Sequence, residues 1–251
     1  MFPARQQTVI NTAATLLIGN ELLSGKVREA NLCELAHTLR ALGIRLERVV
    51  MVPDDVEAIA AEVAVLSSQF DVVFTSGGVG PTHDDVTVEA VARAFGVATH
   101  VDPSVAQLLS DAYGEACSEA HLRMALVPDG ATLTTNQEVP WPTVVMRNVW
   151  MLPGIPEVFR MKLSVIRSTL RGPAPFVSRA VFTRLDETDL KPLLDQVVEA
   201  YPDVEVGSYP KWFDPSYKTK VTFDARRPDR LESALAAFLE LIPEPAVIRV
   251  E

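Results

Sequence analysis

One segment, residues 70–96, constrains the fold more than any other part of this sequence. Asp71–Thr75 is a short apolar run rich in β-forming residues, which is typical of a buried parallel strand. A helix is predicted from Asp84, because apolar side chains then recur at helical spacing. Between strand and helix lie three glycines, which allow positive φ and close approach of the backbone to a ligand: Gly77, Gly78 and Gly80. This order predicts one βα unit of a parallel sheet.

The chemistry of this turn depends on its N–H groups and on the acidic pair behind it. Free N–H groups of a glycine loop and a helix start suit a phosphate. Thr82 and Asp85 fit a T-x-x-D capping pattern, which places Asp84 and Asp85 in the first helical turn. The two carboxylates would repel an anion unless a cation lies between them. Two interpretations remain open: ordinary helix capping, or a site that holds a phosphate together with a metal.

Two common phosphate-binding motifs are excluded. Gly78–His83 lacks the third glycine of the dinucleotide fingerprint. Gly19–Val27 resembles a P-loop, but it has one residue too many between its glycines. It also has Val27 where a serine or threonine should hold magnesium.

Strands and helices alternate along the first half of the chain. Strands are predicted over 12–18, 46–52 and 71–75, and helices over 32–42, 56–66 and 84–95. This alternation predicts a mostly parallel sheet with helices on both faces. Residues 97–101 also have an extended pattern. Glu21 follows the first strand, at the edge where open α/β sheets bind ligands, and is either a site residue or a solvated loop acid.

A second rigid turn is predicted in the middle of the chain. Residues 110–124 have a helical, surface-like pattern, and the proline-rich residues 138–142 are expected to cross the surface without regular structure. Residues 143–152 predict a strand, a tight turn and a strand. Pro153–Glu157 then introduces a helix whose first turn contains Pro156. This turn is either a second grip on an anionic ligand or a plain connector.

The last part of the chain has a different order of elements. Residues 171–175 form the best candidate for a linker, and the predicted domains are 12–171 and 172–251. The second domain reads β-α-β-β-α-β, the split βαβ order of ferredoxin-like folds. The predicted fold class is therefore α/β with a three-layer α/β/α domain, followed by a small α+β domain. Residues 210–217 form an aromatic loop within this small domain.

The composition limits the partners of the protein. The net charge of −10 over 251 residues argues against nucleic acid, whose phosphates require a basic face. No long uncharged apolar run is present, so we expect no membrane association. Two cysteines without a motif spacing are typical of a reduced, cytoplasmic protein. Residues 1–11 are expected to be a frayed leader.

Three motifs resemble a known family. Gly19–Gly25, Ser76–Thr87 and Leu152–Glu157 resemble the MoaB/Mog-type molybdopterin-binding domain, and more closely its CinA branch. The N-terminal domain of eukaryotic FAD synthase is more similar still, through His83, Arg147–Val149 and, in the second domain, Gly207–Pro210. The resemblance covers nearly all of the chain after Thr12, and it implies the same three-layer α/β/α fold.

The resemblance also implies a chemistry. Related domains adenylylate molybdopterin or cleave a nucleotide diphosphate such as ADP-ribose or FAD, in metal-dependent reactions. It implies that Asp85 and Asp84 hold a divalent Mg²⁺, Mn²⁺ or Co²⁺, with K⁺ as a further ion. Glu21 or Glu89 would orient the attacking water. The predicted substrate-binding residues are Gly19, Gly77, Gly78, Gly80, Thr82, Thr87, Pro153 and Gly154.

These implications favour a metal-dependent pyrophosphatase acting on a nucleotide such as FAD or ADP-ribose. The alternatives are a module that transfers an adenylyl group to a pterin, and a module that binds a pterin nucleotide without chemistry. A homo-oligomer, either a dimer or a trimer, is expected. One departure argues against ADP-ribose: the CinA branch has Asn-x-x-Gly-Thr-Ala-Pro-Gly where this chain has Asn136 followed by Gln-Glu-Val-Pro-Trp-Pro.

Overall fold

The computed structural model describes residues 9–213 and 215–251. Residues 1–8, within the predicted leader, and Asp214, within the predicted aromatic loop, lie outside the described residues. The end of the leader is not frayed: the Ile10 N–H donates to the Arg171 carbonyl at 2.9 Å, and the Asn11 N–H donates to Asp71 Oδ2 at 2.8 Å. The described residues form two compact units, one ending at Pro173 and the other beginning at Ala174.

The first unit contains eight strands and seven α-helices among its described residues. The strands are β1 (Thr12–Ile18), β2 (Arg45–Val52), β3 (Val72–Ser76), β4 (Thr99–Val101), β5 (Leu126–Pro128), β6 (Thr132–Thr134), β7 (Thr143–Met146) and β8 (Val149–Leu152). The helices are α1 (Asn20–Leu23), α2 (Asn31–Ala41), α3 (Val56–Gln69), α4 (Thr87–Ala94), α5 (Pro103–Tyr113), α6 (Glu119–Arg123) and α7 (Pro156–Thr169).

The main sheet has the strand order β2-β1-β3-β8-β7-β6. Strands β2, β1, β3 and β8 run parallel, and β7 and β6 are antiparallel additions. The residues of β3 and β8 are all buried, because helices cover both faces of the sheet. One apolar cluster joins the sheet to α2 and α7, and another joins it to α3 and α4. The predicted mostly parallel, three-layer α/β/α architecture is therefore confirmed.

The extended pattern predicted over residues 97–101 is present as β4, which pairs with β5 in a separate two-stranded sheet. Two other local predictions in this unit were wrong. The helix predicted over 110–124 is broken into the end of α5, a 3₁₀ turn at Gly114–Ala116 and the short α6. Helix α4 begins at Thr87 rather than at Asp84, with Val86 at its N-cap position and no side-chain cap. Local pattern does not determine these boundaries, which depend on pairing with distant segments.

The proline-rich residues 138–142 lack regular structure, as predicted, but they do not simply cross the surface. Val139 is buried in the cluster between the sheet and α7. Lys162 of α7 is 3% exposed, and its Nζ donates to the carbonyls of Trp141 and Pro142 at 2.5 and 2.9 Å. Burial lowers the pKa of Lys162 to about 8.

The second unit has the predicted β-α-β-β-α-β order. Its elements are β9 (Val177–Thr183), α8 (Glu187–Ala200), β10 (Glu205–Pro210), β11 (Thr219–Ala225), α9 (Pro228–Leu241) and β12 (Val247–Val250). The strands form an antiparallel sheet in the order β10-β11-β9-β12. Both helices contribute to one apolar cluster against this sheet. In neither unit do the described residues include a helix with the length and apolar character needed to cross a bilayer.

Candidate functional site

The glycine turn after β3 is held by the first residue of α4. The Thr87 hydroxyl donates to the Gly77 carbonyl at 2.8 Å, and the Thr87 N–H donates to the Gly78 carbonyl at 3.0 Å. Gly78 has φ +67°, and a Cβ there would overlap Thr87 Oγ1. Thr87 is fully buried. Its predicted role in substrate binding therefore changes: the side chain fixes the turn and does not face a ligand.

The turn leaves a row of N–H groups for a ligand. The Gly77 N–H is used within the fold, where it donates to the Leu152 carbonyl at 3.1 Å. Within the part of the chain that the structure describes, the N–H groups of Gly78, Val79 and Gly80 have no hydrogen-bond partner. Consecutive free N–H groups in a glycine turn form a concave surface that binds anions. The turn thus presents donors where the sequence predicts a phosphate.

The acidic pair lies in the loop before α4, so neither residue is in the first helical turn. The Thr82 N–H donates to Asp85 Oδ2 at 2.7 Å. The Thr82 hydroxyl oxygen lies 2.6 Å from Asp84 Oδ1 and 2.5 Å from Asp85 Oδ2. A hydroxyl has one hydrogen and donates to one carboxylate at a time. Two carboxylate oxygens therefore converge on one shared donor.

The charge of this loop is negative. The hydrogen bond from the Thr82 hydroxyl lowers the pKa of Asp84 below its usual value, so Asp84 is ionised at neutral pH. Residues 77–86 contain no lysine or arginine. His83 is almost fully exposed, with its Nδ1 4.0 Å from Asp84 Oδ1. Within residues 77–86, an anion on the free N–H groups would thus meet two carboxylates and no lysine or arginine.

The turn after β8 touches the glycine turn. A Cβ on Gly154 would lie 3.3 Å from the Cα of Gly77, so the two turns are in close contact. Gly154 and Ile155 precede α7, whose N-terminus has no side-chain cap. The second predicted ligand-binding turn, formed by Pro153 and Gly154, therefore lies beside the glycine turn after β3.

Asn31, the first residue of α2, joins these turns and was missed by the sequence reasoning. Its Nδ2 donates to Ser76 Oγ at 3.0 Å and to the Gly154 carbonyl at 2.8 Å, and Asn31 is 5% exposed. The Ser76 hydroxyl lies 3.5 Å from the Pro153 carbonyl. The only sequence signal was a polar amide at the start of an amphipathic helix, near the strand ends.

The end of β1 completes this edge of the sheet. Gly19 is buried, and a Cβ there would overlap the carboxylate of Glu21, so the glycine makes room for that carboxylate. Glu21 lies in the short helix α1 and not in a loop. The N–H of Asn20 donates to Asp54 Oδ2 at 2.7 Å, which ties α1 to the end of β2.

The candidate metal ligands at this turn are the carboxylates of Asp84 and Asp85. Among residues 9–213 and 215–251, no three His, Cys, Asp or Glu side chains are grouped closely enough to hold a metal ion by themselves. Oxygen atoms of Asp84 and Asp85 nevertheless suit a hard divalent cation. Mg²⁺ is commonly held by one or two carboxylates, with water and substrate phosphates as its other ligands. The residues present fit such an ion.

Residues 14–171 match a family model described as "Probable molybdopterin binding domain". The chain belongs to this family. Residues 175–251 match a second model, described as "FAD synthase, middle domain". The resemblance inferred from the three motifs is therefore confirmed.

Individual relatives agree with these matches. A protein of Archaeoglobus fulgidus is 33% identical over 90% of this chain and 95% of its own length. The probable FAD synthase of Caenorhabditis elegans is 29% identical over 96% of this chain but only 52% of its own length. The chain thus spans about half of that relative. The crystal structure of the protein CinA with unknown function from Thermoplasma acidophilum is 28% identical, with a TM-score of 0.58, over 63% of this chain and 97% of that chain.

Proposed function

We propose that the first unit hydrolyses the diphosphate of a nucleotide such as FAD or ADP-ribose, in a metal-dependent reaction. One observation carries this proposal: free N–H groups at Gly78–Gly80 lie next to converging carboxylates of Asp84 and Asp85, with no lysine or arginine in residues 77–86. A site that only bound an anion would gain nothing from two carboxylates, because they repel it.

The residues of the chain have separate tasks in this reaction. The free N–H groups bind one phosphate, and the uncapped N-terminus of α7 beside them suits negative charge on the other. Asp84 and Asp85 would hold Mg²⁺, Mn²⁺ or Co²⁺. Such an ion neutralises charge that develops on the phosphoryl oxygens and lowers the pKa of a bound water. The Thr82 N–H, which donates to Asp85, and the Thr82 hydroxyl, which donates to one carboxylate at a time, orient the acidic pair.

The reaction balances with water as its only co-substrate. The oxygen of water forms a bond to one phosphorus, and the bridging P–O bond breaks. FAD would yield AMP and FMN, and ADP-ribose would yield AMP and ribose 5-phosphate. The sequence predicts that Glu21 or Glu89 orients the attacking water.

A second candidate is adenylyl transfer, in which a phosphate or hydroxyl of an acceptor replaces water. It is favoured by the match of residues 175–251 to the FAD synthase middle domain and by the relative named as a probable FAD synthase. The same N–H groups and carboxylates would serve this reaction, with ATP as the donor, a pterin or flavin nucleotide as the acceptor and pyrophosphate as the leaving group.

Product analysis tests the proposal. The purified full chain is incubated with FAD, ADP-ribose or ATP and with Mg²⁺, Mn²⁺ or Co²⁺, in the presence and absence of K⁺, and the products are separated by chromatography. We expect AMP from FAD or ADP-ribose only when a divalent metal is present. Formation of FAD from ATP and FMN without AMP release would favour adenylyl transfer, and binding without any product would leave a binding module.

A further inference from the structure

A cavity of about 100 Å³ lies at the carboxyl edge of the main sheet, beside the glycine turn. Its walls come from the end of β1, α1 and the loop that follows, the start of α2, Ser76, and the turn before α7. A cavity needs about 10–15 Å³ of such space to hold one water, so this cavity holds several water-sized groups. It therefore has room for a small polar group, such as the diol edge of a sugar.

Two helix N-termini border this cavity: that of α7, which is proposed to face a phosphate, and that of α2. The N-terminus of α2 is already occupied by the chain itself. Glu29 Oε1 accepts hydrogen bonds from the N–H groups of Asn31 and Leu32 at 2.7 and 3.0 Å, and its Oε2 accepts from Leu32 at 3.1 Å. These are the first-turn donors of α2, which would otherwise attract a phosphate. A phosphate is therefore excluded from α2 by an internal carboxylate.

The charged side chains of the cavity also disfavour a phosphate at this position. The charged side chains that line the cavity are Glu21, Arg28 and Glu29, which are two carboxylates and one guanidinium. The Asn31 amide is engaged with Ser76 and Gly154. The cavity thus has a net negative wall and suits a neutral group that donates hydrogen bonds.

One acceptor in the cavity is unused. The carboxylate of Glu21 lies over Gly19 and is open to solvent, with no hydrogen-bond or ion-pair partner within residues 9–213 and 215–251. A carboxylate accepts hydrogen bonds from both hydroxyls of a vicinal diol, as acidic residues do with ribose in dinucleotide sites. The missing Cβ of Gly19 allows this carboxylate to fold over the strand end.

We infer that this cavity binds the ribose diol of the substrate, with Glu21 as the acceptor, while the phosphates lie on the glycine turn. This inference rests on the proposed nucleotide function, and it assigns Glu21 to substrate binding and not to water orientation. It also explains why the cavity carries carboxylates beside a site for an anion.

Binding of two sugar phosphates tests the inference without requiring turnover. The full chain is titrated calorimetrically with ribose 5-phosphate and with 2-deoxyribose 5-phosphate. We expect the wild type to prefer the ribose compound by about tenfold, because the deoxy sugar lacks one charge-assisted hydrogen bond. Glu21→Gln should reduce this preference to about twofold or less. Equal affinity of the wild type for both compounds, or no binding of either, would overturn the inference.

A steric variant and a kinetic readout complete the test. Val27 lines the cavity and is 52% exposed, so Val27→Trp should obstruct the cavity and weaken ribose 5-phosphate binding at an unchanged melting temperature. For any nucleotide that is turned over, Glu21→Gln should raise KM more than it lowers kcat. A selective loss of kcat would assign Glu21 to water orientation and contradict the inference. Absence of AMP release from every nucleotide would instead refute the hydrolysis, whatever the sugar preference.

Discussion

At the scale of single residues, the glycine turn depends on the absence of a Cβ at Gly78. Its φ of +67° favours glycine, and a Cβ would overlap the Thr87 hydroxyl that binds the Gly77 carbonyl. We expect Gly78→Ala to lower the free energy of unfolding by more than about 1 kcal/mol. Gly96→Ala is the matched control, because Gly96 has the same φ and no neighbouring atom within 4 Å. Equal losses in thermal unfolding would show that Thr87 does not restrict the turn.

Asp85 is the residue that best separates a purely structural role in the loop from metal binding. Asp85→Asn keeps the size of the side chain and removes its charge. We expect metal-dependent AMP release to fall by about a hundredfold or more, since charge stabilisation of this kind contributes several kcal/mol. The melting temperature should change little.

Asp102→Asn is the matched control for Asp85. Asp102 Oδ1 accepts from the Ser104 N–H at 2.8 Å and the Ser104 hydroxyl at 2.5 Å, much as Asp85 accepts from Thr82. It caps α5, away from the glycine turn. We expect this variant to lose up to about 1 kcal/mol of stability and to keep its turnover. If both variants lost stability and neither lost turnover, Asp85 would only stabilise the loop before α4.

At the scale of elements, the sequence predicts what depends on local pattern. Three such predictions are confirmed: the buried strand at the apolar run of β3, the turn at the glycines that follow it, and the helix start at Pro156 of α7. The start of α4 was misplaced by three residues. Thr82 binds both acidic side chains and so stabilises a loop in place of the predicted first turn.

Contacts between distant segments could not be predicted from the sequence. Asn31 binds Ser76 and Gly154, which lie 45 and 123 residues away along the chain. Such a contact forms only after the strands that carry these segments are aligned in the sheet. In the sequence alone, a polar residue at a helix start is equally consistent with a helix cap or a solvated surface residue. The pairing of β4 with β5 has the same origin, because neither short strand specifies its partner.

The contact between α7 and residues 141–142 predicts a pH dependence. Lys162 has a pKa of about 8 in the folded protein, below its ordinary value of about 10.4 in an unfolded chain. Between these values the unfolded chain binds a proton that the folded chain has lost, so stability rises with pH. Relative to Lys162→Met, the wild type should gain about 1 kcal/mol per pH unit above pH 8, and nothing below it. Denaturant unfolding from pH 6.5 to 9.5 measures this, and a flat difference would show that Lys162 keeps its ordinary pKa.

At the scale of the whole molecule, the proposed site lies within one unit, and each unit has its own apolar core. Every proposed site residue lies in the first unit, whose three apolar clusters contain only residues before Gly172. The second unit has an apolar cluster of its own, with residues from β9, β11, α8 and α9. A separate core is the physical condition for folding alone.

We therefore expect a fragment of residues 174–251 to fold independently. At roughly 0.05–0.15 kcal/mol per residue, a fragment of about eighty residues should unfold cooperatively with a free energy of about 4–12 kcal/mol. Val197 and Val198 form a matched pair on α8, because Val197 is 1% exposed and Val198 is 47% exposed. In the fragment, Val197→Ala should cost about 2 kcal/mol and Val198→Ala less than about 0.5 kcal/mol. A non-cooperative transition in urea, or equal effects of the two substitutions, would show that the second unit needs the first to assemble its core.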